Sequence, residues 1–281
     1  MLSVQTAAPE LALRPYVRAY VQREARLGAK VLIEPVVARL GVMLEFEFAG
    51  SYEVRSYETD ALNATFPATI IGPMTWRRAR LIIRDHVESL VVMFQPAGFH
   101  ALFGMPTAPF AQIGTEGHSV LGVGVSRLRE RLGNAESFAE RARMLDSYLL
   151  CQLRNMQTVD PVYRALHLLT IGGAGLRVED VARQMGVNRR SLERKALAYA
   201  GVSPKELTRI SRFSRALQLR TAGSQSWTEI AHAAGYHDQM HMIRDFRVFA
   251  GDAPTSALQE IAPDHLIHFA VSEAGESTAA M

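Results

Sequence analysis

The sequence predicts an α+β protein. An N-terminal β-rich, sensor-like domain with trailing helices precedes a C-terminal all-α domain, in which two helix-turn-helix units are joined by a linker helix. Three observations predict this. Residues 31–94 hold short apolar or alternating runs broken by Gly, Pro, Asn and Asp. The pattern turns helical after Gln95-Pro96. The stretch from Leu176 to Gln259 is written twice. One half reads Val178-Glu-Asp-Val-Ala-Arg-Gln-Met-Gly-Val187 and continues to Gly201-Val-Ser-Pro204. The other reads Trp227-Thr-Glu-Ile-Ala-His-Ala-Ala-Gly-Tyr236 and continues to Gly251-Asp-Ala-Pro254.

In chain order, Pro15 to Arg26 fits either a helix or an extended segment. Val31 to Val37 is apolar and β-branched. Gly41 to Phe48 alternates, with Leu44, Phe46 and Phe48 on one face and Glu45 and Glu47 on the other. Tyr52 to Tyr57 alternates too, and Gly50-Ser51 between the two runs predicts a hairpin. Thr69 to Gly72, Arg80 to Arg84 and Ser89 to Phe94 are further strands. Together they predict a small antiparallel sheet, sandwich or barrel.

Ala97 to Phe103 reads as a short helix stopped by Gly104 and Pro106, and Pro109 to Gly124 as loop. Val125 to Leu132 and Ala135 to Gln152 read as helices that pack together or form a dimer surface. In the second, Phe138, Ala142, Leu145, Leu149 and Cys151 or Gln152 make the stripe. Asp160-Pro161 starts another helix, with Asp as cap and Pro in its first turn, running to about Ile171 and ending at Gly172-Gly173. The sequence thus divides into a β-rich part with trailing helices over 1–155, an all-helical part over 160–262, and a small, polar, disordered tail over 272–281.

The repeat has the chemistry of a helix-turn-helix. Small Ala182 and Ala231 let the first helix approach the second. Gly186 and Gly235 supply the turn, and Val181, Leu192 and Ile230 fill the wedge. The second helix of such a unit lies in the major groove, its N-terminal residues at base edges. Those residues are Arg189, Arg190, Glu193 and Arg194 in the first half, and Gln239, Met240, His241 and Arg244 in the second. Arg can bridge guanine, Gln can pair with adenine and Glu can accept from cytosine. Arg209, Arg212 and Arg215, in the segment between the halves, read as phosphate contacts. Net charge is only +3, but nine basic residues against Glu193 and Glu206 concentrate it between Arg189 and Arg220.

These residues resemble the DNA-binding domain of AraC/XylS-type transcriptional regulators. That family carries two helix-turn-helix units joined by a long linker helix, and its second unit ends in Gly-Phe-x-x-x-Ser-x-Phe-x-Arg-x-Phe-Lys and then Gly-x-Ser-Pro. Here the run is Gly235-Tyr236-His237-Asp238-Gln239-Met240-His241-Met242-Ile243-Arg244-Asp245-Phe246-Arg247, then Gly251-Asp252-Ala253-Pro254. The family's extra residue in the second unit is present, since Gly235 to Gly251 is one longer than Gly186 to Gly201. Met240 replaces a small polar residue, Met242 an aromatic and Ala196 a Phe. The last two read as core adjustments, and Met240 as a weaker reader. The run Val91-Val-Met-Phe-Gln-Pro-Ala-Gly-Phe-His-Ala-Leu-Phe-Gly-Met-Pro106 resembles, more weakly, the strand-to-helix element of the family's sensor domains. The resemblance implies a linker helix from Pro204 to about Ala222. It also implies a cytoplasmic regulator whose partners are double-stranded DNA, a small-molecule effector, and as further candidates RNA polymerase and a second copy of the chain.

Other readings of the same residues are weighed against this one. Glu45 and Glu47 read as the solvated side of a strand, with acid-base work or a sensor pocket as alternatives. Trp76-Arg77-Arg78-Ala79-Arg80 reads as a solvated turn, with anion binding as alternative. His237 and His241 have zinc-ligand spacing but read as recognition-helix surface. His265 and His268 read as surface residues. Cys151, the only cysteine, reads as a buried inert thiol; it excludes an intrachain disulfide and a thiolate-rich metal site. No catalytic set, cofactor motif or metal set is expected. Residues 1–13 lack a signal-peptide pattern, and no apolar run approaches the ~20 residues of a membrane span. A scaffold protein using the repeat for partner contacts is the alternative function, and an enzyme with a DNA-binding appendage a third.

Overall fold

The computed structural model describes residues 2–63, 65–77, 79–154, 160–171, 176–223 and 225–261. Its N-terminal part is one antiparallel sheet. The strands are β1 (Leu2–Ala7), β2 (Val17–Val36), β3 (Met43–Ala49), β4 (Glu53–Ser56), β5 (Leu62–Asn63), β6 (Ala68–Ile71), β7 (Ala79–Phe94) and β8 (Gly114–Glu116). They lie in the order β1-β2-β7-β3-β6-β8, with β4 also on β7 and β5 on β4.

The two long strands take in three shorter ones expected from sequence and a segment that fitted either helix or strand. From Val17 the Pro15 to Arg26 segment is extended and continuous with the Val31 run in β2, and the Arg80 and Ser89 runs are both in β7. Besides a shift near Val17, the ladder between them breaks register mid-length, around the pair Gly28 and Asp85. Both residues have positive φ there, 58° and 53°. The break bends a ladder without reversing the chain, and local composition does not separate those outcomes.

The hairpin expected at Gly50-Ser51 does not form. β3 pairs with β7 over Glu88 to Met93 and β4 pairs with it over Ala79 to Ile82, so β3 and β4 run end to end along one edge. Gly50 (φ 62°) makes the offset between them, and a Cβ there would stand 2.1 Å from the His86 carbonyl oxygen. A glycine that lets two backbones touch looks, in sequence, like a glycine that turns.

One face of the sheet carries Tyr20, Leu44, Phe46, Leu90, Val92 and Phe94, all buried. Helices cover it: α1 (Gly98–Phe103), α2 (Gly117–Leu121), α3 (Val123–Gly133) and α4 (Phe138–Arg154). The Pro109 to Gly124 stretch expected as loop contains β8 and α2, because β8 finds its partner β6 some 45 residues earlier, at Thr69↔Glu116. Leu145 and Leu149 of α4 face the core as expected, but Cys151 is exposed. It lies two residues past Leu149, about 200° around the helix, and so on the solvent side.

The opposite face is not solvated either. Glu45 (9% exposed) and Glu47 (5%) are buried among Arg23, Ser89 and Thr69, which corrects the solvated-strand expectation. The Arg23 guanidinium meets Glu34 at 2.5 Å, and Tyr52 shares a 2.6 Å hydrogen bond with Ser89. Alternation of charge with apolar residues signals a wet face only while that face meets water; here Ala19, Val21, Val91 and Met93 form a second buried cluster, and Glu45 and Glu47 are buried with Arg23 and Ser89.

Burial, reinforced by the neighbouring Glu47 carboxylate, pushes the Glu45 carboxyl up to about 7 from the ordinary 4.5. From about pH 4.5 to 7 the folded chain therefore holds a proton that the unfolded chain has released, and stability falls as pH rises through that window. Glu45→Gln removes this slope. Urea unfolding near pH 8 should find it about 1–3 kcal/mol more stable than wild type, with the difference vanishing near pH 4. A pH-independent difference would refute the assignment.

The C-terminal part is helical: α5 (Pro161–Ile171), α6 (Val178–Gln184), α7 (Arg189–Ala200), α8 (Pro204–Ala222), α9 (Trp227–Ala233), α10 (Gln239–Phe249) and α11 (Pro254–Glu260). The Asp160 carboxylate accepts from the Val162 N–H at 2.9 Å, starting α5 where the Asp-Pro pair predicts. Phe213 of α8 is central to this core, with ring centroids 4.9 Å from Phe246 and 5.4 Å from Phe249. Val37, Ala38, Leu40 and Ala97 from the sheet side belong to the same apolar cluster, so the two parts share a buried seam. The expected helix end at Gly172-Gly173, the histidines at 265 and 268, residue 262 and the tail from 272 lie outside the described residues.

Candidate nucleic-acid interface

The two halves of the repeat fold alike. In the first turn the Val187 N–H donates to the Ala182 carbonyl at 3.0 Å; in the second, the Tyr236 N–H donates to Ala231 at 2.9 Å. Gly186 and Gly235 have φ of 66° and 87°. Nothing lies within 4 Å of a Cβ built on Gly186, so glycine is needed there for its backbone conformation and not for space. Ala182 and Ala231 are buried where each first helix meets its second.

Side-chain caps fix where the second helices begin. The Asn188 side chain accepts from the Ser191 N–H at 2.7 Å, and Asp238 accepts from the His241 N–H at 2.7 Å. Both α8 and α9 open with a capping box, Ser203 with Glu206 and Ser226 with Glu229. The S-x-x-E spacing is a start signal for both helices that stands in the sequence itself. The linker helix α8 spans Pro204 to Ala222 as expected.

The helices present opposed faces. In α7, Leu192, Ala196 and Ala200 are buried and Arg190 and Arg194 are exposed. Neither arginine has an ion-pair partner among the described residues. Arg189 differs: its guanidinium lies 2.9 Å from both Glu179 and Glu193, which ties it and Glu193 to each other. In α10, Met242, Asp245, Phe246 and Phe249 are buried. Met240 (54% exposed), Arg244 and Arg247 face out. The Gln239 amide oxygen accepts from the Thr228 hydroxyl at 2.9 Å, and His241 meets Tyr236 edge-on. Arg247 escaped the sequence reading, although Arg244-x-x-Arg247 places both on one side of a helix.

The linker arginines are placed unequally. Arg209 grips Asp245, which is 2% exposed, at 2.6 Å and 3.1 Å. Arg212 lies over the Tyr236 ring at 5.2 Å. Both brace α8 against the second unit. His237 is exposed and 3.3 Å from Asp238, and among the described residues no cluster of His, Cys, Asp or Glu can hold a metal ion. Arg77, expected in a solvated turn, instead reaches into the second unit, and Arg80 pairs with Asp60 at 3.1 Å. Tyr57, Trp76, Arg77, Arg247, Val248 and Gly251 surround an open cleft of about 620 Å³ where the two parts meet.

Two doubled turns, two capped second helices with exposed basic faces and one connecting helix define a tandem helix-turn-helix protein that binds DNA. Residues 181–260 match the family model of a helix-turn-helix domain, and residues 5–114 that of a domain of unknown function (DUF6597). The C-terminal part carries a helix-turn-helix domain, and the chain is a DNA-binding regulator. Among solved structures, it is similar to ToxT from Vibrio cholerae O395, at 11% identity over 87% of this chain and 98% of that one, with a TM-score of 0.47. Unsaturated-fatty-acid-bound ToxT from Vibrio cholerae strain SCE256 matches at 12% identity over 93% and 96%, with a TM-score of 0.48. The AraC-like transcriptional activator CuxR matches at 15% identity over 79% and 87%, with a TM-score of 0.24. No curated protein sequence matches the chain. Among the described residues, no helix is long and apolar enough to cross a membrane.

Proposed function

We propose that the chain reads a bipartite operator through both second helices and is controlled by a small-molecule effector held in its N-terminal domain, about residues 1–155. The observation that carries the DNA reading is the pair Arg190 and Arg194. They stand exposed, one turn apart, on a helix whose other face is fixed in the core. Such arginines are free to bridge guanine O6 and N7. Arg244 and Arg215 add phosphate contacts, Gln239, Met240 and His241 flank the second groove segment, and Arg189 and Glu193 orient each other beside the first. Arg209 and Arg212, expected as phosphate contacts, we assign instead to holding α10 against α8. Docking both units occupies two groove segments about 34 Å apart on one face of the duplex.

Effector control rests on the inner face of the sheet. A sheet that buries Glu45, Glu47, Arg23 and Glu34 carries more buried charge than stability calls for. The chain acts in the cytoplasm, on DNA, with RNA polymerase and a second copy of itself as further partners, and without catalysis of its own. Selection of the full chain against randomised duplexes tests the reading. Enrichment of one sequence is expected, with log K falling linearly against log salt by about 0.9 per neutralised phosphate. Absence of both enrichment and salt dependence would favour a scaffold that uses the repeat for protein contacts.

A further inference from the structure

The last turn of any α-helix leaves carbonyls without partners inside the helix. In both second helices of the repeat, the sheet domain supplies donors to such carbonyls. At the end of α7, the Thr107 N–H donates to the Ala198 carbonyl at 2.7 Å, and the Thr107 hydroxyl donates to the same oxygen at 3.2 Å. At the end of α10, the Ala38 N–H donates to Phe249 at 2.8 Å and the Arg77 N–H to Val248 at 3.3 Å. The Arg77 guanidinium donates to Ala250 at 3.1 Å and pairs with Glu260 at 2.9 Å.

The grips fall at equivalent places in the repeat. Gly201 follows α7 and Gly251 follows α10, with φ of 71° and 87°. A Cβ on Gly201 would lie 2.9 Å from Pro73 Cγ, and one on Gly251 would lie 2.4 Å from Arg77 Cδ. The repeated glycines therefore do more than end two helices: each leaves room for a residue of the sheet domain.

The gripping residues form one platform. The Arg39 and Met74 backbones exchange hydrogen bonds of 2.8 Å and 3.0 Å, and the Gln112 N–H donates to Pro73 at 3.0 Å. The Gln112 side chain also bonds the Thr75 hydroxyl. Segments around Ala38, Pro73–Arg77 and Thr107–Gln112 are thereby stitched together. A platform holding the far ends of both readers constrains their mutual position independently of the linker helix between them.

We propose that this platform makes Arg77 and Thr107 positioning residues for DNA recognition: they set which separation of the two operator half-sites the protein accepts. The inference rests on the reading that both units dock on one duplex. Neither residue needs to touch DNA. Their effect is to keep the two helices at one distance and phase, so that a mis-spaced site can engage only one of them at full strength.

The test uses the full chain and a duplex selected by it from a random pool. Base pairs are added or removed singly between the half-sites, across about one helical turn, ~10 bp. Wild type should prefer one spacing by about tenfold or more over its neighbours, about 1.4 kcal/mol. Arg77→Ala and Thr107→Val should each flatten that profile to within about threefold, while affinity for a single half-site stays within about twofold of wild type. Arg77→Lys, which retains a cation for Glu260, should restore part of the preference. Thermal unfolding confirms that each variant compared is folded, and a variant that fails to fold is replaced by Arg77→Met or Thr107→Ala at the same position. An unchanged spacing profile in folded variants overturns the proposal and leaves the linker helix as the ruler. Equal affinity of wild type for all spacings overturns it as well. A wild type that binds no duplex in a salt-dependent way rejects the DNA-docking reading beneath it.

Discussion

Replacing Arg190 or Arg194 with alanine is expected to weaken binding to the selected duplex by about 1–3 kcal/mol and to flatten the preference at a single base pair. The two effects should come together, because a bidentate arginine contributes affinity only where its guanine is present. Arg244→Ala should cost affinity about equally on every sequence, as loss of a phosphate contact does. Arg189→Ala should do less to specificity than either neighbour, since Glu179 and Glu193 already hold its guanidinium at 2.9 Å. Competition binding across all single-base variants of the duplex measures all four. Uniform loss on every sequence for Arg190→Ala and Arg194→Ala would reject base readout by the first unit. A larger specificity loss from changes at Gln239 or Arg244 would reverse the ranking of the units. That ranking follows from Met240, which stands 54% exposed on the reading face and offers a base no donor and only a weak thioether acceptor.

The largest stability loss is expected at Arg209→Ala. Asp245 lies inside the second unit at 2% exposure, and Arg209 supplies both of the hydrogen bonds it receives from arginine. Removing the cation leaves a buried carboxylate without its counter-charge, a change that costs about 3–5 kcal/mol in general. The Arg209 side chain is 31% exposed, so solvent already screens part of the pair and the lower end, about 3 kcal/mol, is expected here. The arginine also lies over the Phe249 ring at 5.0 Å, and that contact is lost with it. Urea unfolding of the full chain should show the loss. The double change Arg209→Met with Asp245→Leu, which removes both charges and keeps the volume, should recover most of it. If Arg209→Ala unfolds at the wild-type urea concentration, the pair does not hold α8 to α10, and Arg209 returns to the pool of phosphate contacts.

Local signals in the sequence and long-range contacts divide the molecule differently. The helical half was legible because its signals are local. Asp160-Pro161 marks the start of α5, the Gly pairs mark the turns, and the 3.6-residue spacing of Leu192, Ala196 and Ala200 marks a buried stripe. Tandem repetition made the reading firmer, since chance similarity seldom recurs at matched intervals. The sheet half was legible only as strands. Where a strand bends, as at Gly28 and Asp85, or passes from one register to another, as at Gly50, the residues involved are those that also make turns.

The candidate site shows the same division. Arg190, Arg194, Met240 and Arg244 were identifiable from their places after the two turns, and their exposure follows from helix geometry. The roles of Arg209 and Arg212 were not, because an arginine in sequence looks the same whether it meets phosphate or a buried aspartate 36 residues away. Nor were those of Thr107 and Arg77, whose acceptors lie 91 and 173 residues along the chain.

By itself, then, the sequence determined that two like units would form and where their turns and second helices fall, since periodicity and glycine placement act within a few residues. The tertiary structure alone decided which charges are spent inside the fold, that Glu45 and Glu47 are buried, and that one platform grips both second helices. Those outcomes depend on which distant backbone arrives beside a residue, and no local pattern encodes the arrival.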